Sequence, residues 1–262
     1  MLAADCWLLT AGELLTATLI GRQEVQRVSL KGKVAVVTGS TRGIGRAIAE
    51  ALIDEEVSVV ICSRRQRDVD RTVAACRERE KGRVVGIACD VREHGQVQRL
   101  IDFAIRELGG LDILVNNAGV AHTASVADLK PEEWHEIIDT NLTGVFYCCH
   151  EAIPHLRTRG GGYIVNIGSL AGANAHPMMA AYNASKFGLL GFSEALFQEV
   201  RYDGIRVSHI MPGSVETDFS SGKKGWAILP EQIADMVITL LKSPSRTMAT
   251  RIEMRPTKPS RA

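Results

Sequence analysis

The run Val34-Ala35-Val36-Val37-Thr38-Gly39-Ser40-Thr41-Arg42-Gly43-Ile44-Gly45 combines three kinds of local structure in twelve residues. Its first five residues are apolar or β-branched, the signature of a strand buried on both faces. Glycines then follow in the pattern G-x-x-x-G-x-G, where the backbone must turn tightly and approach a ligand closely. An amphipathic stretch begins at once, so the glycines lie between a strand and a helix. A diphosphate placed there would meet free backbone N–H groups and the positive end of the helix dipole. The order strand, glycine turn, helix predicts the opening unit of a dinucleotide-binding sheet, although this glycine spacing is not the commoner G-x-G-x-x-G.

The same alternation recurs on the C-terminal side. Strands are predicted at Val57 to Cys62, Val84 to Cys89, Ile113 to Asn116, Tyr163 to Ile167, Ile205 to Ile210 and Thr250 to Met254. Helices are predicted at Ile44 to Ile53, Asp68 to Lys81, Gly95 to Leu108, Pro131 to Arg157, Met178 to Arg201 and Pro230 to Leu241. Pro131 suits a first helical turn, and Glu132 and Glu133 complement its positive end. The expected fold is α/β: a single-domain Rossmann-type doubly wound parallel sheet of about seven strands flanked by helices, spanning residues 31–255. Residues 1–30 are expected to form an N-terminal extension and residues 256–262 a tail.

Composition excludes other classes. Of 262 residues, 45% are hydrophobic and 23% charged, which fits a globular protein and not a disordered or fibrous one. The balance of 31 Lys+Arg against 30 Asp+Glu offers no general attraction to phosphate polymers or anionic lipid, so neither nucleic acid nor membrane is an expected partner. The apolar stretch Leu8 to Ile20 is interrupted by Glu13 and has no Lys or Arg before it, so it reads as neither a membrane span nor a signal peptide. Cys6, Cys62, Cys76, Cys89, Cys148 and Cys149 include no C-x-x-C pair and are read as reduced core residues of a cytoplasmic protein. The seven histidines show no metal-ligand spacing, and no metal site is predicted.

Candidate ligand-binding residues collect at the C-terminal ends of the strands, the edge where open α/β sheets bind ligands. After the second strand, Ser63-Arg64-Arg65 stands where a carboxylate would hold the ribose 2′-hydroxyl of NAD. Arginine matches a 2′-phosphate instead, and Arg42 in the glycine turn is a further candidate, so NADP(H) is expected over NAD(H). Asp90-Val91 closes the third strand and Asn116-Asn117-Ala118-Gly119 the fourth. After the fifth strand come Gly168-Ser169 and then Tyr182-Asn183-Ala184-Ser185-Lys186. Residues four apart share a helix face, so the Tyr182 hydroxyl and Lys186 ammonium can project into one pocket. A phenol, with a reference pKa near 10, becomes a better proton-transfer group at neutral pH when a cation stabilises its phenolate.

Together these motifs resemble the short-chain dehydrogenase/reductase family over nearly all of residues 31–255. The family's T-G-x-x-x-G-x-G matches Thr38 to Gly45, its N-N-A-G matches Asn116 to Gly119, and its active-site asparagine matches Asn141. Its serine matches Ser169, its Y-x-x-x-K matches Tyr182 to Lys186, and its P-G matches Pro212-Gly213. The resemblance implies that Tyr182 exchanges a proton with an alcohol or carbonyl oxygen that Ser169 polarises. It also implies that Lys186 lowers the Tyr182 pKa and holds the nicotinamide ribose, while Asn141 orders a water linking Lys186 to solvent. The implied coenzyme ligands are Gly39, Ser40, Arg42, Gly43, Ile44, Gly45, Ser63, Arg64, Arg65, Asp90, Val91, Asn117, Ala118, Gly119, Tyr182, Lys186, Pro212, Gly213, Val215 and Thr217.

The implied activity is NADP(H)-dependent interconversion of a ketone and a secondary alcohol, most like the 3-oxoacyl-acyl-carrier-protein reductases and related ketoreductases. Oxidation of a sugar, hydroxy acid or steroid alcohol is the alternative. By the same analogy a homodimer or homotetramer is expected. Only Ser214 to Leu229 separates Pro212-Gly213 from the next helix, so the pocket is expected to be shallow or open, with Leu170 to Met179 as one wall and Val120, Ala121 and His122 opposite. The C-terminal residues lack the glycine turn those reductases use in tetramer packing, and Pro256 and Pro259 suggest an extended arm.

Overall fold

A computed structural model describes residues 28–217, 219 and 225–259. The stretch Leu8 to Ile20 and Cys6 therefore lie outside the described residues. Seven strands form one parallel sheet: β1 (Val34–Thr38), β2 (Ser58–Ser63), β3 (Val84–Ala88), β4 (Ile113–Asn116), β5 (Gly162–Ile167), β6 (Ile205–Pro212) and β7 (Arg251–Met254). Their order is β3-β2-β1-β4-β5-β6-β7. The winding reverses between β1 and β4, which opens a crevice at their carboxyl ends.

The helices are α1 (Gly43–Asp54), α2 (Gln66–Arg77), α3 (His94–Leu108), α4 (Pro131–Ile138), α5 (Gly144–Thr158), α6 (Ala180–Val200) and α7 (Pro230–Leu241). One face of the sheet packs against α1, α2 and α7 through Ile48, Leu52, Val73 and Val237. The other packs against α3, α5 and α6 through Leu100, Ile101, Cys148, Leu189 and Leu196. The whole of β1 is buried, as its apolar sequence requires. Among the described residues, no helix is long and apolar enough to cross a membrane.

Three helices differ from their sequence-predicted form, α2 in spanning Gln66–Arg77 and so ending before the expected Lys81. The stretch 131–157 is not one uniform helix, because a five-residue π turn, Asp139–Thr143, separates α4 from α5. That extra residue per turn carries Asn141 into tertiary hydrogen bonds, and such π bulges gather at functional positions. Helix α6 starts at Ala180 and not at Met178, whose φ of 65° is incompatible with a right-handed helix. The tail leaves the sheet after Met254, and Pro256 packs where a Cβ on Gly213 would lie 3.1 Å from it.

Asp112 fastens the opposite, amino end of the sheet. Its buried carboxylate accepts the Val34 N–H at 2.9 Å, Lys33 Nζ at 3.1 Å and Arg159 NH2 at 3.0 Å. Burial pushes its pKa up, but Arg159, the Val34 amide and Lys33 outweigh burial and hold it below the ordinary value. A depressed carboxylate pKa stabilises the fold above the unfolded-state value near 4, and that contribution disappears as pH falls through the folded-state pKa. Replacing Asp112 by Ala should cost about 2–4 kcal/mol at pH 7 by urea denaturation. The variant should also lose less stability than the parent between neutral and acid pH; equal loss in the two proteins would show that Asp112 is not the acid-sensitive group.

Candidate active site

The glycine turn is stitched to the end of β4. Thr38 Oγ1 accepts the N–H groups of Asn117 at 2.9 Å and Ala118 at 3.0 Å. Asn117 Nδ2 returns to the carbonyls of Thr38 at 2.9 Å and Gly39 at 3.2 Å. Gly39 and Gly43 have φ of 64° and 53°, the left-handed region open to glycine. A Cβ on Gly45 would lie 2.3 Å from Asn117 Nδ2 and 2.5 Å from the Gly39 carbonyl, so a side chain would wedge α1 away from the turn. Among the described residues, no side chain caps the start of α1 and no acid occupies its first turn. A close-approach backbone and an uncapped, positive helix end together fit the diphosphate of a dinucleotide.

The remaining predicted coenzyme residues lie along the same carboxyl edge, but several have other work. Ser40 is 0% exposed, and its hydroxyl accepts the Cys62 N–H at 2.9 Å. The side chain ties the turn to β2, because a buried hydroxyl needs a partner. Ile44 is likewise a packing residue, set against Val215, Ile228 and Ile233. Thr217 lies beside Gly43, where a Cβ would meet its methyl at 3.2 Å. Beyond Ser63, Arg64 NH1 meets Glu136 Oε1 at 3.4 Å and Arg65 Nε meets Asp68 Oδ2 at 2.6 Å, both from exposed positions. Arg42 is exposed at the mouth of the turn. Asp90 is held by Arg92 through both carboxylate oxygens, with Val91 buried next to it. Pro212 and Gly213 end β6, and the Gly213 N–H donates to Met254.

The second cluster forms where β4, β5, the π turn and α6 meet. Asn141 Oδ1 accepts the Val120 N–H at 2.8 Å, while Nδ2 donates to the Val120 carbonyl at 2.9 Å and Ser185 Oγ at 3.1 Å. Lys186 Nζ donates to the Ile167 carbonyl at 3.1 Å. A Cβ on Gly119 would lie 3.3 Å from Asn141 Oδ1 and 4.0 Å from Lys186 Nζ, so glycine leaves the space beside the ammonium open. Ser169 accepts the Ala171 N–H at 3.1 Å, and its hydroxyl lies near enough to the Tyr182 phenol to draw the phenol pKa down. Lys186 Nζ lies 5.7 Å from the centre of the Tyr182 ring, as the i, i+4 spacing predicts.

Burial controls both titrations. The Lys186 ammonium, 5% exposed, is brought down to about 8 by desolvation. Tyr182, 8% exposed, is pushed up by desolvation, with the Ser169 hydroxyl pulling the other way. In the chain by itself, burial sets the phenol pKa above its ordinary value. The phenol stays protonated at neutral pH, ready to donate.

Comparison with known proteins agrees with this geometry. Residues 33–227 match the family model described as short chain dehydrogenase. The chain is a short-chain dehydrogenase/reductase. It is 35% identical over 213 residues to a 3α-hydroxysteroid dehydrogenase of Mediterraneibacter gnavus, covering 81% of this chain and 83% of that protein. It is 36% identical to a 3-oxoacyl-[acyl-carrier-protein] reductase of Haemophilus influenzae, covering 73% and 77%. A metagenomic short-chain oxidoreductase solved in complex with NADP superposes with a TM-score of 0.79 at 33% identity, covering 88% of this chain and all of that one. This dehydrogenase/reductase accordingly belongs to a nicotinamide-dependent family acting on hydroxyl and keto groups.

Several participants of the site went unnoticed in the sequence. Glu136 faces both Arg64 and His122, the latter at 2.9 Å. The Phe219 ring lies 6.2 Å from that of Tyr182. Neither belongs to a local pattern, since both partners come from distant segments. Thr38 was part of the matched glycine motif, and a hydroxyl ending an apolar strand was the signal for its stitching role.

The Gly45 contacts give a direct test of the turn. Gly45→Ala should destabilise the enzyme by about 1–3 kcal/mol through overpacking and weaken nicotinamide dinucleotide binding at least tenfold by fluorescence titration. Unchanged affinity would mean that the Asn117 stitch does not shape the binding surface.

Proposed function

We propose that this enzyme is an NADP(H)-preferring ketoreductase, reducing a ketone to a secondary alcohol with Tyr182 as proton donor. The observation carrying this reading is the buried pair of Tyr182 and Lys186 with Ser169 beside it: a phenol kept protonated by burial, a serine hydroxyl that lowers its pKa, and an ammonium 5.7 Å from its ring. The coenzyme, when bound, supplies the hydride. The turn Gly39 to Gly45 and the start of α1 would hold its diphosphate, Asn117 to Gly119 and Pro212 to Thr217 would flank it, and Lys186 and Tyr182 would meet its nicotinamide ribose.

Carbonyl reduction builds negative charge on the substrate oxygen, and the hydroxyls of Ser169 and Tyr182 are the donors positioned to meet it. Tyr182 gives up its proton to that oxygen as the alcohol forms. The resulting phenolate is stabilised by the charge of Lys186, which the Ile167 carbonyl orients. Both N–H donors of the Asn141 amide are engaged by Val120 and Ser185, so the side chain is a positioning group for the loop after β4.

The NADP(H) preference rests on Arg64 and Arg65. Their ion pairs with Glu136 and Asp68 are solvent-exposed and therefore weak, so a 2′-phosphate can recruit the guanidinium groups at little cost. The likeness to an NADP-bound structure supports the same choice. Likeness to the 3-oxoacyl reductase favours an acyl ketone as substrate. Likeness to the 3α-hydroxysteroid dehydrogenase supports a second reading, a steroid alcohol or ketone. Assays with β-keto esters, acyl thioesters and steroid ketones separate the two.

Tyr182→Phe removes the transferable proton and should lower kcat for ketone reduction by about 10²- to 10⁴-fold with NADPH affinity kept. In the parent enzyme the reduction rate should decline as pH rises through about 8, where Lys186 loses its charge. A Phe variant with near-normal turnover would overturn the proton assignment. Arg64→Asp should weaken NADPH binding roughly 10- to 100-fold, as expected for lost charge-assisted hydrogen bonds, and leave NADH binding unaffected or improved. An unchanged ratio of the two affinities would assign the preference elsewhere.

A further inference from the structure

No histidine spacing in the chain suggests a metal, yet the fold brings three ligand-type side chains together from distant segments. His94 is the first residue of α3, and His150 and Glu151 lie on α5. We propose that His94, His150 and Glu151 form a binding site for one zinc ion that clamps the start of α3 to α5. These residues are distinct from those of the Tyr182 site.

The donor atoms already converge. His94 Nε2 lies 2.6 Å from Glu151 Oε1, His150 Nε2 lies 3.9 Å from the same oxygen, and all three donors fall within 4.8 Å of one another. Zinc bonds of about 2.0–2.2 Å in tetrahedral geometry put donors roughly 3.3–3.5 Å apart. The observed separations bracket that value, so shifts of about an ångström bring the set onto a metal. Beside the short His94–Glu151 contact, a second imidazole nitrogen lies 3.9 Å from the same carboxylate oxygen.

The rings are also held in place. His94 stacks on Tyr147 with centroids 4.9 Å apart and planes 26° apart, and it meets His150 edge-on at 5.8 Å. Phe146 lies against the far histidine, 5.7 Å from the His150 centroid. Ligands already oriented lose less freedom on binding. Both imidazoles are about half exposed, which leaves an entry path and a fourth coordination position for water. Two imidazoles and one carboxylate favour zinc over magnesium, which prefers an octahedral oxygen shell.

The test uses the full-length protein, stripped with EDTA, dialysed and titrated with ZnCl2 by calorimetry alongside thermal denaturation. One equivalent of zinc should bind with micromolar affinity and raise the melting temperature by several degrees, whereas MgCl2 at the same concentration should do neither. His94→Ala and His150→Ala should each weaken zinc binding at least about tenfold while leaving the metal-free melting temperature and NADPH affinity unchanged. Absence of one-to-one binding by the parent protein would overturn the proposal. Undiminished binding by the His94→Ala/His150→Ala double variant would do the same.

Discussion

Everything at the functional edge depends on keeping β1 and β4 together where the sheet reverses its winding. A crevice there is open by construction, because the crossovers from the two strands leave in opposite directions. The Thr38 hydroxyl closes its floor by accepting two successive N–H groups of the β4 turn, and Asn117 completes the join by donating to two carbonyls of the glycine turn. Four hydrogen bonds between segments nearly eighty residues apart thus fix both walls of one cleft. The side chain of Asn117 is occupied by this task, so the approach of a ligand relies on backbone and on the small residues Ala118 and Gly119. Serine at position 40 extends the same stitching to β2. A binding surface made of backbone is rigid only if neighbouring side chains brace it, and here three polar residues do so.

The positions of strands and helices along the chain were legible in the sequence because burial on both faces leaves a plain trace: short β-branched runs, each followed by an amphipathic stretch. The glycine turn was legible for a related reason, since the approach of α1 to Asn117 tolerates no Cβ at position 45. What stayed hidden was tertiary. The π turn at Asn141 follows from hydrogen bonds to Val120 and Ser185, 21 and 44 residues away, and no local propensity encodes them. The pairing of Arg64 with Glu136 spans 72 residues. For Ser40, motif position alone does not show that its buried side chain also braces β2. The Tyr182–Lys186 spacing was read correctly as geometry, but its electrostatics depend on how deeply the pair is buried, which spacing alone does not reveal.

Burial of that pair has a consequence for direction. Desolvation disfavours whichever form is charged, so it raises the phenol and lowers the ammonium together. The neutral phenol is a donor, and the lysine stays mainly protonated at neutral pH. A protein that needed a standing phenolate at rest would place its cation closer to the phenol oxygen or leave the tyrosine wetter. The arrangement instead suits a step in which charge appears on the phenol only after its proton has left.

Beneath Ser169 and Lys186 the core is polar, and its chemistry protects that arrangement. Asn116, Asn166 and His209 are register partners across β4, β5 and β6. Asn116 donates to Asn166 at 2.9 Å, Asn166 donates to Ser193 at 2.9 Å, and Ser193 meets His209 Nδ1 at 3.1 Å. Burial, followed by the charges of Lys186 and Arg251, brings the His209 pKa down to about 3. The imidazole therefore stays neutral throughout the range in which Lys186 changes charge, so no positive charge on His209 competes with the ammonium. Its ring fits under the Ser169 loop only because position 168 is glycine, where a Cβ would come within 2.2 Å of Nε2. A slip of one residue in β6 would move His209 to the opposite face of the sheet and break its bond to Ser193. The same ladder that keeps the site's charge in one place thus also fixes the strand register on which Ser169 and Lys186 depend.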